Sequence, residues 1–202
     1  AAGLLFETEV RSLAQGLHTE KPSAWIMGGA KLDKIALLQR ALERYEYIIM
    51  GGALAFAFLK AKGIPVGASK TDAASIEVAR NILASKQAHK IILPLDFVIA
   101  ESFSPRAKTI IVDYNQIQPQ QVGLDLGPKT VALFEQYLSK AKTIVWNGPL
   151  GYVEWAKFAG STKEIARFLG KLEDVVTIAG GGETAEVLTK FHLHHDLTHV
   201  ST

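Results

Sequence analysis

SAWIMGGA, at residues 23–30, contains the pattern that decides the fold of this chain. An apolar run of strand length ends directly at Gly28-Gly29, and a segment of helical period follows at residues 33–42. The same order recurs in YIIM at residues 47–50, which Gly51-Gly52 closes before a predicted helix at residues 54–62. Strands with few polar positions that alternate with helices are typical of a parallel sheet covered by helices on both faces.

The rest of the chain continues this alternation and predicts a three-layer, Rossmann-like α/β domain with a mostly parallel sheet. Further helices are predicted at residues 3–17, 71–85, 128–140, 162–169 and 183–191. Thr71 or Asp72 would cap the second of these, and Pro128 falls in the first turn of the third. Further strands are predicted at residues 90–95, 109–112, 143–146 and 175–179, and the polar residues 116–121 predict a loop.

The composition predicts one globular domain and excludes several classes of protein. With 202 residues, of which 48% are hydrophobic and 21% charged, the chain can bury roughly 70% of its unfolded surface. This balance excludes fibrous and strongly disordered proteins. The net charge of +2 is too small to indicate nucleic-acid binding.

Cysteine usage and hydropathy indicate the compartment. The chain has no cysteine, which excludes disulfides and thiolate metal sites and suits a reducing, cytoplasmic setting. The uncharged stretch at residues 47–59 has 13 residues, fewer than the roughly 20 of a membrane span, and no leader of basic and then apolar residues opens the chain. The first residue is alanine rather than methionine, so we expect a piece of a longer protein.

Four predicted strands run directly into glycine-bearing turns that begin helices, and in a parallel sheet all four turns emerge at the carboxyl edge. Glycine allows close approach of a ligand, and helix N-termini offer unpaired N–H groups, so the edge suits anions, phosphates above all. Glycines that merely allow sharp bends are the alternative interpretation. Neither GxxxxGKS/T nor GxGxxG after a strand is present, so the pattern favours a phosphorylated small molecule and no more. The turns are Gly28-Gly29-Ala30-Lys31, Gly51-Gly52-Ala53, Asn147-Gly148-Pro149 and Gly180-Gly181-Gly182-Glu183-Thr184.

Three charged residues in or just after these turns have two interpretations each. Lys31 and Lys34 begin a predicted helix, where cations are unfavourable unless an anion lies in front, but they could equally be a solvated pair beside Asp33. Glu183, first in its helix, is either an ordinary N-terminal carboxylate or a ligand of a metal ion that the phosphates bring.

Six ordered segments and a seventh at the end carry a resemblance to a known family. The chain resembles the C-terminal, nucleotide-binding domain of phosphoglycerate kinase along almost its whole length. The resemblance implies that residues 1–20 are a helix leading in from an N-terminal domain, and that residues 21–202 lack the family's final glycine-rich turn and C-terminal helix. The segments are GGAKLDKIALL (28–38), IIMGGALAFAFLKAKG (48–63), LPLDFVIA (93–100), GLDLGP (123–128), AKTIVWNGPLGYVE (141–154), IAGGGETA (178–185) and HVST (199–202).

The resemblance implies phosphoryl transfer between 1,3-bisphosphoglycerate and ADP with Mg²⁺. Lys31 resembles the lysine that stabilises the transferring phosphoryl group, and Lys34 the one that holds nucleotide phosphate. Glu154 matches the glutamate on the ribose hydroxyls, and Glu183 stands at the position of the magnesium-binding aspartate. The matching positions that form the walls of the adenine slot are Gly51, Gly52, Gly123 and Leu124; those along the phosphate path are Gly28, Gly29, Ala30, Asn147, Pro149, Gly180, Gly181, Gly182 and Thr184.

Three positions depart from the family pattern, and they leave a second function as an alternative. The turn from Lys31 to Lys34 is one residue shorter, Glu183 replaces aspartate, and Ala53 replaces a glycine beside the adenine slot. We therefore expect the nucleotide-binding half of a phosphoglycerate kinase, not catalytic by itself, with a diverged, non-catalytic adenine-nucleotide-binding module as the alternative. An interaction domain with an empty sheet edge would leave the four turns unexplained.

The resemblance also implies the partners. ADP or ATP would bind this chain, 3-phosphoglycerate or 1,3-bisphosphoglycerate would bind through the absent N-terminal domain, and the full-length protein would be a monomer without nucleic-acid or membrane partners. Among the remaining residues, Trp25 and Trp146 are predicted in the core, and Asp96 is predicted to hold a turn. Trp155 is predicted either to cover the site or simply to pack, and a metal site at His192, His194 and His195 is disfavoured.

Overall fold

Six strands form a parallel sheet at the centre of the fold. The computed structural model describes residues 20–29 and 35–200. The strands of this sheet are β1 (Ser23–Met27), β2 (Tyr47–Met50), β3 (Ile91–Ile92), β7 (Thr143–Asn147), β8 (Val176–Gly180) and β9 (His199–Val200). Within the described residues their order is β3-β2-β1-β7-β8-β9. Every neighbouring pair is parallel, as the alternation of strands and helices predicts.

Helices cover both faces of this sheet, which confirms the three-layer prediction. The helices are α1 (Ile35–Arg44), α2 (Gly52–Ala61), α3 (Ala73–Leu83), α4 (Pro128–Leu138), α5 (Gly160–Leu169) and α6 (Gly182–Lys190). Ile26 and Trp146 pack on one face of the sheet against α4 and α5, whereas Trp25 and Met27 pack on the other against α1 and α3. Neighbouring residues of a strand point to opposite faces, so both sets must be apolar.

A second, antiparallel sheet of three strands was not predicted from the sequence. It consists of β4 (Asp96–Ala100), β5 (Thr109–Asp113) and β6 (Val122–Leu126) in the order β5-β4-β6. The strand predicted at residues 109–112 belongs to this sheet. The segment VGLDL of β6 hides its strand because glycine and aspartate are both depleted in strands. This second sheet shares a hydrophobic core with the first through Phe97, Ile99 and Leu126.

The predicted element boundaries hold with one correction and small shifts. The strand predicted at residues 90–95 is present only at Ile91–Ile92, because Pro94 lacks the N–H that a longer ladder needs. Asp72, rather than Thr71, caps α3 by accepting a hydrogen bond from the Ser75 amide at 2.7 Å. The loop at residues 116–121 is confirmed. The helix predicted at residues 3–17 lies outside the described residues.

Buried side chains confirm the core predictions. Trp25 and Trp146 are buried. Asp96 of β4 is also buried, and its carboxylate accepts hydrogen bonds from the amides of Lys129 and Thr130 in the first turn of α4, at 3.0 and 2.8 Å.

None of the helices in residues 20–29 and 35–200 combines the length and apolar character needed to cross a membrane.

Candidate functional site

The four glycine turns emerge at one edge of the parallel sheet, as predicted, but the turn after β7 does not begin a helix, because α5 starts only at Gly160. β1 lies between β2 and β7, with Met27 in register with both Met50 and Asn147. Asn147 is in turn in register with Gly180 of β8. The last residues of these four neighbouring strands are therefore level, and the turns that follow them lie side by side.

Main-chain hydrogen bonds join three of these turns to one another. The amide of Gly29 donates to the carbonyl of Pro149 at 2.6 Å, and the amide of Gly52 donates to that of Leu150 at 3.2 Å. The amide of Ala53 donates back to the carbonyl of Gly29 at 2.9 Å. Gly52 has φ +57, and an added Cβ would overlap the carbonyl oxygen of Gly29. This part of the edge is therefore backbone packed on backbone.

Side chains join the turn after β7 to the turn after β8. The buried hydroxyl of Thr184 accepts a hydrogen bond from the Gly148 amide at 2.7 Å. The side-chain amide of Asn147 donates to the carbonyl of Gly180 at 3.3 Å. Both side chains thus hold the two turns together, with Gly181 between them at φ +93.

The first turn of α6 faces open space. A Cβ added at Gly182 would meet no atom within 4 Å, and the neighbouring Glu183 is half-buried. A carboxylate is a ligand that Mg²⁺ prefers, and Mg²⁺ usually binds through one or two carboxylates together with phosphates. Glu183 therefore fits a magnesium ion brought by a phosphate, whereas no group of three or more His, Asp or Glu in the described parts of the chain could hold a metal alone.

A cleft of about 550 Å³ opens from this edge between α2 and the second sheet. Gly52, Ala53 and Phe56 of α2 line one side, and Gly123 and Leu124 of β6 line the other. The volume suits a small organic ligand. Most of the lining is apolar, and among the described residues the charged ones at the cleft are Lys70, Asp125 and Glu154.

Two aromatic side chains, Phe103 and Tyr152, line the cleft. Phe103, which is 58% exposed, lies 4.7 Å from Trp155 and 5.0 Å from Tyr152 between ring centroids. Trp155 also lies against Phe158 and does not itself line the cleft, so of its two predicted roles the structure shows packing. Sequence reasoning missed Phe103, because the residues around it carry no periodicity that marks a site.

Asp125 is a buried carboxylate in the cleft wall that sequence reasoning also missed. Its side chain accepts hydrogen bonds from the hydroxyl and amide of Ser161 and from the amide of Leu126. Burial raises the pKa of Asp125 to about 6, although hydrogen bonds from Ser161, Leu126 and Gly160 offset part of the rise. The folded chain holds this proton more tightly than the unfolded chain, so the resulting stability is complete below pH 3.8 and is lost as the pH rises through about 6.

The structure brings most of the predicted site residues together in two groups. Gly29, Gly52, Gly123, Leu124 and Glu154 line the cleft. The second group forms the turns of the sheet edge or begins α6, and its members are Gly28, Gly51, Asn147, Pro149, Gly180, Gly181, Gly182, Glu183 and Thr184. Ala30, Lys31 and Lys34 lie outside the described residues.

Comparisons with known sequences give one family. The whole chain, residues 1–202, matches the family model described as phosphoglycerate kinase. The phosphoglycerate kinase of Limosilactobacillus reuteri subsp. reuteri is 42% identical over 204 residues, which cover 100% of this chain and 50% of that protein. That of Onion yellows phytoplasma is 37% identical over 203 residues, which cover 99% of this chain and 51% of that protein. The chain thus spans about half the length of the curated relatives it matches.

Solved structures of similar fold agree. The phosphoglycerate kinase of Coxiella burnetii superposes with a TM-score of 0.89 at 33% identity, over 98% of this chain and 52% of that chain. The enzyme of Pyrococcus horikoshii OT3 superposes with a TM-score of 0.79 at 26% identity, over 98% of this chain and 51% of that chain. The two-sheet arrangement described above is therefore shared with proteins of that name.

Proposed function

Because this chain belongs to the phosphoglycerate kinase family, we propose that it is the nucleotide-binding half of such a kinase and binds ADP or ATP. The observation that carries the proposal is the continuity of the apolar cleft with the glycine turns. A nucleotide has an apolar base at one end and anionic phosphates at the other. A cleft whose apolar end leads to glycine turns beside the N-terminus of α6 matches that order.

The order of the lining residues supports one orientation of the nucleotide. The base lies between α2, at Ala53 and Phe56, and β6, at Gly123 and Leu124. The exposed carboxylate of Glu154 at the cleft can accept hydrogen bonds from the ribose hydroxyls. The phosphates extend toward Gly29 and the turns after β7 and β8, and the N-terminus of α6, which begins at Gly182 in the turn after β8, favours negative charge.

The chemistry of the whole kinase follows from positioning and charge. A phosphoryl group passes from the carboxyl phosphate of 1,3-bisphosphoglycerate to a β-phosphate oxygen of ADP and leaves 3-phosphoglycerate. Lys31 would neutralise charge on the transferring group, and Lys34 would hold the nucleotide phosphates. Glu183 would hold Mg²⁺, which supplies further neutralisation of phosphate charge when bound. The phosphoglycerate would bind through the other half of the protein, in the cytoplasm where this glycolytic step belongs.

One observation favours a second function, a nucleotide-binding module without turnover. The turn from Lys31 to Lys34 is one residue shorter than the family pattern, and Glu183 stands in place of its aspartate. Both departures fall at positions proposed to hold the phosphates and Mg²⁺, where phosphoryl transfer needs exact alignment.

Titration calorimetry of the chain with MgADP tests nucleotide binding. We expect saturable heat, which should disappear in Gly123→Val because a larger side chain would press on the ring of Phe56 and fill the cleft. Gly63→Ala serves as the control, since a Cβ there meets nothing within 4 Å and Gly63 lies outside the cleft. Absence of heat at millimolar MgADP would overturn both functions.

A coupled kinase assay separates the two functions. The chain is joined to the N-terminal half of a related phosphoglycerate kinase, and turnover is measured with Lys31 intact and with Lys31→Ala. We expect turnover with Lys31, and a loss in Lys31→Ala that far exceeds the change in nucleotide affinity. Nucleotide binding without any turnover would favour the non-catalytic module.

A further inference from the structure

The loop between β7 and α5 brings side chains to the cleft, and a single carboxylate contacts both of its ends. We refer to residues 151–160 as the cleft loop. It carries Tyr152 and Glu154, both of which line the cleft. Asp125 projects from β6 beneath this loop and is 5% exposed.

At the far end of the cleft loop, Asp125 holds the start of α5. The hydroxyl of Ser161 donates to Oδ1 of Asp125, and the amide of Ser161 donates to Oδ2 at 3.2 Å. Gly160 is the first residue of α5, so the carboxylate accepts from the unpaired donors of a helix N-terminus. This contact fixes where the loop ends.

At the near end, the loop packs directly on the same carboxylate. An added Cβ at Gly151 would overlap Oδ1 of Asp125, so the glycine lies in contact with it. The next amide, of Tyr152, donates to the carbonyl of Leu124 at 2.7 Å, one residue before Asp125 on β6. Both ends of the loop are thus tied to one short stretch of the cleft wall.

We propose that Asp125 is a positioning residue for the nucleotide: it holds both ends of the cleft loop so that Glu154 meets the ribose. This inference rests on the proposed function. Asp125 acts through the loop, because its own oxygens are occupied by Ser161 and Leu126. Loops that bind ligands gain affinity when they are held in the bound conformation beforehand.

Asp96 provides a matched control in the same sheet. It is 1% exposed, and it accepts hydrogen bonds from the amide and hydroxyl of Thr130 at the N-terminal turn of α4, just as Asp125 does from Ser161 at α5. A Cβ at Gly127 would likewise overlap its carboxylate. Asp96 does not line the cleft, so the two carboxylates share a structural role and differ in their link to the site.

The experiment compares affinities for MgADP and for Mg-2′,3′-dideoxy-ADP, which lacks both ribose hydroxyls. In the unmodified chain we expect about tenfold tighter binding of ADP, the worth of a charge-assisted hydrogen bond. Asp125→Asn should reduce this preference to about twofold, because the loop no longer holds Glu154 at the ribose. Asp96→Asn should lower the melting temperature yet leave the preference unchanged. Ser161→Ala is the second variant, expected to act in the direction of Asp125→Asn if the latter does not fold.

Each outcome decides the inference. A preference that stays tenfold in Asp125→Asn, or in Ser161→Ala where that variant is the one tested, overturns it, because a merely structural carboxylate would weaken both ligands equally. Equal affinities of the unmodified chain for the two nucleotides also overturn it, because the cleft loop then does not bind the ribose hydroxyls. Binding of neither ligand by the unmodified chain overturns the proposed function itself, and the inference with it.

Discussion

The two ends of the cleft differ in the kind of contact that forms them. At the sheet edge, the turns at Gly29 and Gly52 contact each other and Leu150 through main-chain hydrogen bonds. At the outer end of the cleft, where we propose that the base lies, Gly123 of β6 is covered by the ring of Phe56. That ring stacks on Phe97 with 4.8 Å between ring centroids. The first end is backbone against backbone, and the second is backbone against side chain.

This difference indicates which part of the site can accept amino-acid substitutions. Backbone contacts at the sheet edge leave no room for a side chain, so substitution there must displace a whole turn. Side chains at the outer end can shift or be exchanged, at the cost of repacking. We therefore expect the phosphate end of the proposed site to be intolerant of change and the base end to be adjustable.

Gly52→Ala should produce the largest effect, a loss of about 4 kcal/mol in the free energy of unfolding, from overlap and strain together. The added Cβ would overlap the Gly29 carbonyl, lie 2.5 Å from the Gly29 nitrogen and require φ near +57. Urea unfolding followed by circular dichroism measures the loss.

Gly63→Ala is the control for this substitution. Gly63 also has positive φ, +78, but a Cβ there meets nothing within 4 Å. It should lose only about 1 kcal/mol, the cost of left-handed backbone. Equal losses in the two variants would contradict the backbone packing of the sheet edge.

Thr184→Val should cost about 2 kcal/mol, because it leaves the buried Gly148 amide without its acceptor. Thr184→Ser keeps the hydroxyl and should lose less than half as much. Thermal unfolding of both variants, with MgADP titration beside it, makes the measurement. If valine and serine behaved alike, side-chain hydrogen bonding would not be what joins the turns after β7 and β8.

Gly123→Ala tests the outer end of the cleft and should cost about 1.5 kcal/mol, the middle of the range for overpacking. The new Cβ would overlap the far edge of the Phe56 ring. Because leucine lacks those ring atoms, Phe56→Leu should relieve the overlap, and the double variant should be more stable than the sum of the single losses by about 1 kcal/mol. Strict additivity in this double-mutant cycle would show that the outer end does not adjust.

Glu46, beyond the amino ends of the strands, should show the smallest effect. Burial alone would raise the pKa of Glu46, but hydrogen bonds from Lys21 and Ser23 outweigh it and lower the pKa to about 2. The resulting stability is present above pH 4.5 and is lost as the pH falls through about 2. Glu46→Gln should remove this pH dependence and cost less than about 1 kcal/mol at pH 7, since the ion pair with Lys21 is partly exposed.

A matched measurement shows whether this effect is local. MgADP affinity should be the same with Glu46 and with Gln at this position, because Glu46 does not line the cleft. A changed affinity would mean that the two edges of the sheet are coupled.

Prediction from sequence succeeded where burial is two-sided. SAWIM and TIVW lie in the middle of the parallel sheet, where all of their residues are buried. After the polar Ser23 and Thr143 at their first positions the residues are apolar, so the run is visible without any context. The second sheet escaped prediction, because β6 contains Gly123 and Asp125 for reasons of packing against Phe56 and Ser161. Phe103 escaped as well, since its partners Tyr152 and Trp155 are distant in sequence.

The amino-acid sequence by itself determined the parallel sheet, its flanking helices and the common edge at which the glycine turns emerge. These properties follow from the spacing of hydrophobic residues and from the backbone freedom of glycine, both of which can be recognised in short segments of sequence. Only the tertiary structure decided that a second sheet closes a cleft over that edge, and that Asp125 lies under both ends of the loop bearing Glu154. Those features arise from contacts between residues far apart along the chain, which no local pattern records.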